Sequence, residues 1–349
     1  MLLLLAIAVV VPVVAFATRG EEARIGISTH LQWSGEPIAP QVAALREGGV
    51  RWIREDFQWA AIEPERGRFV WRGTDALMAA AAEEEVDVLA ILAYSAPWAA
   101  TAGEHSPPRD FSDYARFARA VVRRYGEDGT FWEGREVVRP LRAVELWNEP
   151  WGHFFWEPDP DPAAYARLAL RAASAVRTEA PEVDILVPAD LLQVRTDGSI
   201  TPWFEALLDA GDELPRMVDG WTVHPYPAPR DTSPADARTD PRFAYGRVEL
   251  VREIAIRRGF ERPIWITELG WSTAPDHEEG VDEREQGRFV AQALDRALGE
   301  WGDFVERIFI YSWDRSRGDP DDLEAHFGVR REDGSFKPAW REITARTER

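Results

Sequence analysis

Residues 141–150 read Leu141-Arg142-Ala143-Val144-Glu145-Leu146-Trp147-Asn148-Glu149-Pro150. The segment is short and apolar without clean alternation, which is how a strand covered on both faces reads. It stops at a polar Asn-Glu pair sealed by proline. Ile264-Trp265-Ile266-Thr267-Glu268-Leu269-Gly270-Trp271 repeats the design. Working outward from these two, the pattern predicts eight strands: Arg24–Thr29, Val50–Arg54, Val86–Ala93, Leu141–Trp147, Val183–Ala189, Val218–His224, Pro263–Glu268 and Arg307–Trp313. Between them run helical stripes. Phe111–Tyr125 follows Asp110 and sets Tyr114, Phe117, Ala118 and Val121 at helical spacing, and Tyr165–Val176 and Glu285–Leu298 are similar. Strands alternating with helices predict an α/β fold, a closed (β/α)8 TIM barrel in one domain spanning residues 24–349.

The composition narrows the chemistry. The chain has 349 residues, 45% of them apolar, and a net charge of −20. That charge argues against nucleic acid or an anionic membrane surface as partner, because phosphate repels it. There is no cysteine, which removes thiol nucleophiles and disulfides. Lys337 is the single lysine and lies near the C-terminus, away from the strand ends where Schiff-base chemistry would need it. Neither G-x-G-x-x-G nor a Walker lysine is present, so no cofactor is expected. His30, His105, His153, His224, His277 and His326 form no H-x-H or H-E-x-x-H pair, so no metal is expected either. At the N-terminus, Leu2 to Ala17 is an apolar run ending in Ala15-Phe16-Ala17. It reads as a signal peptide (residues 1–17) or a membrane anchor, followed by a short linker at 18–23, and implies an exported protein.

Barrel enzymes carry their reactive groups where strands end and βα loops begin. The predicted strand ends are rich in such groups: Ser28-Thr29-His30, Arg54-Glu55-Asp56, Tyr94-Ser95-Ala96-Pro97-Trp98, Trp147-Asn148-Glu149, His224-Pro225-Tyr226, Glu268 and Trp313. Glu149 and Glu268 close the fourth and seventh strands, so they can face one crevice from opposite sides. Two carboxyls so placed are what glycosidic cleavage requires, one to protonate the leaving oxygen and one to attack, or to activate water at, the anomeric carbon. Each of the 61 acidic residues begins as an ordinary solvated side chain. These two stand apart because both sit in otherwise apolar segments.

Trp147-Asn148-Glu149-Pro150 together with Thr267-Glu268-Leu269-Gly270-Trp271 resembles clan A of the glycoside hydrolases. Arg54-Glu55-Asp56, Trp59, Ile62-Glu63-Pro64-Glu65-Arg66-Gly67, His224-Pro225-Tyr226, Gly270-Trp271-Ser272-Thr273, Phe327-Gly328 and Asp333-Gly334-Ser335 make it most like family 39, which includes exopolysaccharide-cleaving enzymes and β-xylosidases. The resemblance implies Glu149 as acid/base, Glu268 as nucleophile and retention of configuration, with the carboxyls about 5–5.5 Å apart. Asn148 is then placed to bond the sugar 2-hydroxyl, and Arg54 to keep Glu268 ionised from beneath, or else to pair with Glu145 as an ordinary barrel salt bridge. Tyr226 is expected to donate to Glu268. His224 is read equally as a substrate ligand and as a satisfied core residue. Trp98, Trp151 and Trp313, with Trp147, Trp156 and Trp271, are expected to rim the crevice and stack on sugar rings. The expected function is a retaining hydrolase acting within a poly- or oligosaccharide chain, as a monomer whose partner is its carbohydrate substrate. A glycan-binding barrel with weak turnover and a transglycosylase are the alternatives.

Overall fold

The barrel strands of the computed structural model are β1 (Ile25–Ser28), β2 (Trp52–Gln58), β3 (Asp87–Ala93), β4 (Ala143–Leu146), β5 (Asp184–Pro188), β8 (Gly220–Val223), β9 (Ile264–Leu269) and β10 (Val305–Tyr311). They close in parallel in the order β1-β10-β9-β8-β5-β4-β3-β2. Residues 23–314 and 322–347 are described; the expected export segment at 1–17 lies outside them. Among the described residues, no helix is long and apolar enough to cross a membrane. Around the barrel run α1 (Ile38–Glu47), α2 (Trp59–Ile62), α3 (Arg72–Glu83), α4 (Phe111–Tyr125), α5 (Pro162–Glu179), α6 (Phe204–Asp209), α7 (Glu213–Met217), α8 (Arg247–Arg257), α9 (Glu283–Asp295) and α10 (Pro338–Thr344). The predicted (β/α)8 barrel is the fold. The stripe read at Phe111–Tyr125 is α4, capped by the Asp110 side chain accepting from the Ser112 amide.

Side chains alternate along a strand, so residues two apart share a face. Trp52, Leu89, Ala143, Leu186, Trp265 and Phe309 form a buried apolar cluster inside the barrel. Two residues further along three of those strands stand Arg54, Glu145 and Thr267, all buried. The barrel thus has an apolar floor carrying a polar layer, and that layer supports the groups at the strand ends. Glu268 breaks the alternation. Between β9 and β10 the register steps from Ile266↔Ile308 to Leu269↔Ile310, which leaves one extra residue in β9. This bulge lets Thr267 and the adjacent Glu268 both turn inward. Gly270 follows because any Cβ there would collide with the Tyr311 carbonyl.

Two differences from the sequence expectation are the largest. The second strand runs to Gln58, four residues past Arg54, with Arg54, Glu55 and Asp56 inside it. A hairpin, β6 (Leu192–Val194) with β7 (Ile200–Pro202), was not anticipated. It docks on the loop after Glu149, where the His153 amide donates to Val194 O at 3.1 Å and the Val194 amide to Trp151 O at 2.9 Å.

Candidate active site

The bend that presents Glu149 is built from unusual backbone. Trp147 has φ 75° and Glu149 φ 44°, the left-handed region that side-chain-bearing residues seldom occupy. The bend is pinned by Trp147 Nε1 donating to Phe155 O at 2.7 Å and by the Gly152 amide donating to Glu149 O at 3.0 Å. Asn148, between the two, is fixed from both ends of its amide. Its Oδ1 accepts from Arg54 Nη2 at 2.8 Å, and its Nδ2 donates to Tyr94 OH at 3.0 Å. One Nδ2 hydrogen is left to face the crevice.

Arg54 organises the floor of the site. Its Nε donates to Glu145 at 2.7 Å and its Nη1 to Glu268 Oε1 at 2.5 Å. It is therefore both the barrel ion pair with Glu145 and the cation beneath Glu268. Tyr226 OH donates to the other Glu268 oxygen at 3.0 Å. Burial alone pushes the Glu268 carboxyl up, but His224 and Arg54 outweigh it and hold it at about 2.

His224 stands between the two glutamates. Its Nδ1 is 2.7 Å from Glu149 Oε1 and 3.7 Å from Glu268 Oε2. Its Nε2 is 3.0 Å from Thr267 Oγ1, whose own proton goes to Glu145 at 3.0 Å. Arg54 Nη2 also approaches Nε2, at 3.4 Å, so the imidazole is held on both ring nitrogens. Burial pulls the imidazole down, while Glu268 and the bond to Glu149 outweigh it, so the net shift is upward. His224 is walled in and satisfied by Glu149 and Thr267.

Carboxylate oxygens of Glu149 and Glu268 and a His224 nitrogen lie within 4.8 Å of one another, close enough to hold one metal ion. Both Glu268 oxygens already accept from Arg54 and Tyr226, and Arg54 supplies the positive charge a metal would bring. The donor set suits proton transfer better than metal binding.

The aromatic expectations fare unevenly. Trp313 is 1% exposed, so it presents no face to a sugar. Its strand ends two residues earlier than predicted, and the ring is turned away onto Trp340 and Phe336, with Nε1 donating to Gln41. Trp147, Trp156 and Trp271 are buried in the same way. Trp151 is 9% exposed and sets an edge against the His224 ring. Half-buried Trp98 packs on Trp59 and donates to Glu63 O at 2.8 Å. Two further rings that meet the site were outside the expected set, Tyr94 having been noted only as part of a polar strand end. Tyr311 contacts Tyr226, Phe327 and His30, and Tyr94 contacts His105 and Phe155. Also missed was the pairing of His30 with Asp56 at 3.2 Å. The signal for Tyr94 and Tyr311 was their place immediately after or at the end of an apolar strand.

A family model described as beta-galactosidase, glycoside hydrolase family 42, matches residues 30–107. No curated protein matches the chain. Among solved structures, a family 39 glycoside hydrolase from Bacteroides cellulosilyticus WH2 superposes with TM-score 0.69 at 20% identity, covering 93% of this chain and 63% of that one. The family 39 enzyme from Xanthomonas axonopodis pv. citri gives 0.63 at 19%, covering 92% and 64%. A family 5 enzyme from Streptomyces cattleya, solved with Manβ1-4GlcNAc, gives 0.65 at 19%, covering 94% and 81%. The chain therefore spans just under two thirds of the two family 39 enzymes. At these identities the likeness is one of fold, and it agrees with the clan A, family 39-like resemblance read from the residues.

Proposed function

We propose that the protein is a retaining glycosidase in which Glu149 is the acid/base and Glu268 the nucleophile. The observation that carries this is the approach of the two carboxyls to within 4.8 Å, with Glu268 held ionised at about 2 and Glu149 bonded to His224. A closest oxygen-to-oxygen approach within 4.8 Å favours double displacement, with carboxyls about 5–5.5 Å apart, over the wider arrangement of roughly 6.5–9.5 Å that an interposed water needs. In the first step Glu268 attacks the anomeric carbon while Glu149 protonates the departing oxygen, and a glycosyl ester forms. In the second step Glu149 takes a proton from water, which attacks the same carbon and frees Glu268.

The finer reading is cleavage within a carbohydrate chain. It rests on the long loops after β3, β4 and β8, and on exposed Phe154 (68%) and Trp33 (41%) in the loops after β4 and β1. Burial of four of the expected stacking tryptophans weakens the case for a tryptophan-lined groove. The test is incubation with a panel of activated 2-deoxy-2-fluoro glycosides, followed by mass spectrometry. A glycosyl adduct on Glu268 is expected from the sugar the enzyme accepts. A first-formed product of inverted anomeric configuration, read by NMR on the matching unmodified glycoside, would overturn the proposal.

A further inference from the structure

The turn that joins the two catalytic carboxyls to the barrel wall is His224-Pro225-Tyr226. Its first side chain bonds Glu149 and its last bonds Glu268. The turn is held from behind by Arg247, the first residue of α8. Arg247 Nη2 donates to His224 O at 2.5 Å and Nη1 to Tyr226 O at 2.6 Å. The remaining edge of the guanidinium forks onto Asp190, Nε to Oδ1 and Nη2 to Oδ2, each at 3.1 Å. Both members are nearly sealed, with side chains 11% and 7% exposed. Asp190 is itself anchored at the end of β5, where Oδ1 accepts from the Leu191 amide at 2.7 Å.

Four directed bonds from one planar cation thus lock two carbonyls two residues apart. A carbonyl's direction sets the side chain beside it. Rotation of either peptide would swing His224 off Glu149 or Tyr226 off Glu268. Resting on the glycosidase reading, we infer that Arg247, braced by Asp190, is a positioning residue that holds the acid and the nucleophile in register through a single turn. It touches no reacting atom. A clamp on both carboxyls acts on both chemical steps, so its loss lowers kcat and leaves KM nearly unchanged.

The test compares full-length R247A, R247K and D190N with R346A. Arg346, just past α10, makes a similar forked pair with Asp295 at the end of α9, far from the site in sequence. The probe is whichever p-nitrophenyl glycoside of a panel the unaltered protein hydrolyses fastest. R247A is expected to lose kcat by about 100-fold, as misplacement of a catalytic group by about an ångström does. R247K recovers little of it, because an ammonium cannot make the fork. Added guanidinium chloride, at concentrations well below denaturing, restores part of the R247A rate. D190N shows a smaller loss of the same kind and keeps the test alive should R247A fold poorly. R346A lowers the melting temperature with kcat little changed. A purely structural role predicts instead that kcat falls only with the folded fraction in all four variants, and that result overturns the inference. Crystal structures of R247A or D190N give a readout free of turnover. The inference requires the His224–Glu149 and Tyr226–Glu268 bonds to break or lengthen, and unchanged bonds overturn it. If the unaltered protein hydrolyses no glycoside in the panel, the glycosidase reading fails on that result, while the crystallographic comparison still decides the clamp.

Discussion

Glu149 and Glu268 are chemically the same residue made different by their neighbours. Glu268 has two donors, one of them a guanidinium; Glu149 has one imidazole nitrogen. The proposed roles rest on that asymmetry, and experiment can separate them. Glu268→Ala should abolish turnover, and azide should restore it by attacking the vacated face to give a glycosyl azide. Glu149→Ala should spare the first step for p-nitrophenyl leaving groups, which depart without a proton, while cleavage of a natural glycosidic bond collapses. Equal losses on the two substrate types would remove Glu149 from the acid role. These residues were legible in sequence because each is a polar interruption of an apolar strand. Arg54 and Tyr226 were legible from the same contrast and from resemblance. Trp313 misled because an aromatic at a strand end looks alike whether it faces the crevice or the helices. Only the two-residue difference in where β10 ends separates it from Tyr311.

At the level of elements, the apolar strands could be placed from sequence to within a few residues, and the exceptions have physical causes. The second strand was cut short because Glu55 and Asp56, following Arg54, look like surface. In the fold each is internally paired: Arg54 with two glutamates, Asp56 with His30, and Glu55 with the Leu31 and Gln32 amides. Such pairing depends on residues more than twenty positions away, which no local pattern contains. The bulge in β9 is invisible for a similar reason, since it exists only relative to β10. The β6–β7 hairpin did leave a trace, because Asp197-Gly198 supplies the positive φ its turn needs. The bend after β4 makes a prediction at this scale. Trp147 is buried, and its indole donor holds the loop that carries Glu149. Trp147→Phe removes the donor, strands the Phe155 carbonyl and leaves a small void, at a cost of about 1–3 kcal/mol. Urea unfolding should register that loss. Because the left-handed backbone at 147 and 149 relaxes with it, kcat should fall further than the folded fraction does. A variant destabilised as expected but with unchanged kcat would show that the bend holds without the indole.

Across the whole molecule, the site sets how stability depends on pH. The chain is strongly acidic, with 61 acidic against 41 basic residues, and two groups at the strand ends are shifted in opposite directions. Glu268 is held at about 2 against an ordinary 4.5. A depressed carboxyl contributes stability that is fully present above its unfolded value and disappears as pH falls toward 2. His30 is the opposite case. Burial pulls its imidazole down, but the hydrogen bond and charge of Asp56 outweigh it and raise it from 6.5 to about 9. A raised histidine contributes stability that is fully present below its unfolded value and is lost as pH climbs through 9. The two together predict a plateau of stability between roughly pH 4.5 and 6.5, falling on either side. Thermal melts from pH 3 to 10 would trace it. His30→Gln should lessen the alkaline decline and leave the acid side alone, the rest of that limb coming from His224, whose imidazole is also raised, whereas Glu268→Gln should lessen the acid decline. His30 is partly open to solvent, so its share is the smaller and should shrink with added salt. If His30→Gln declines on the alkaline side as steeply as the unaltered protein, the His30–Asp56 pair is not what sets that limb.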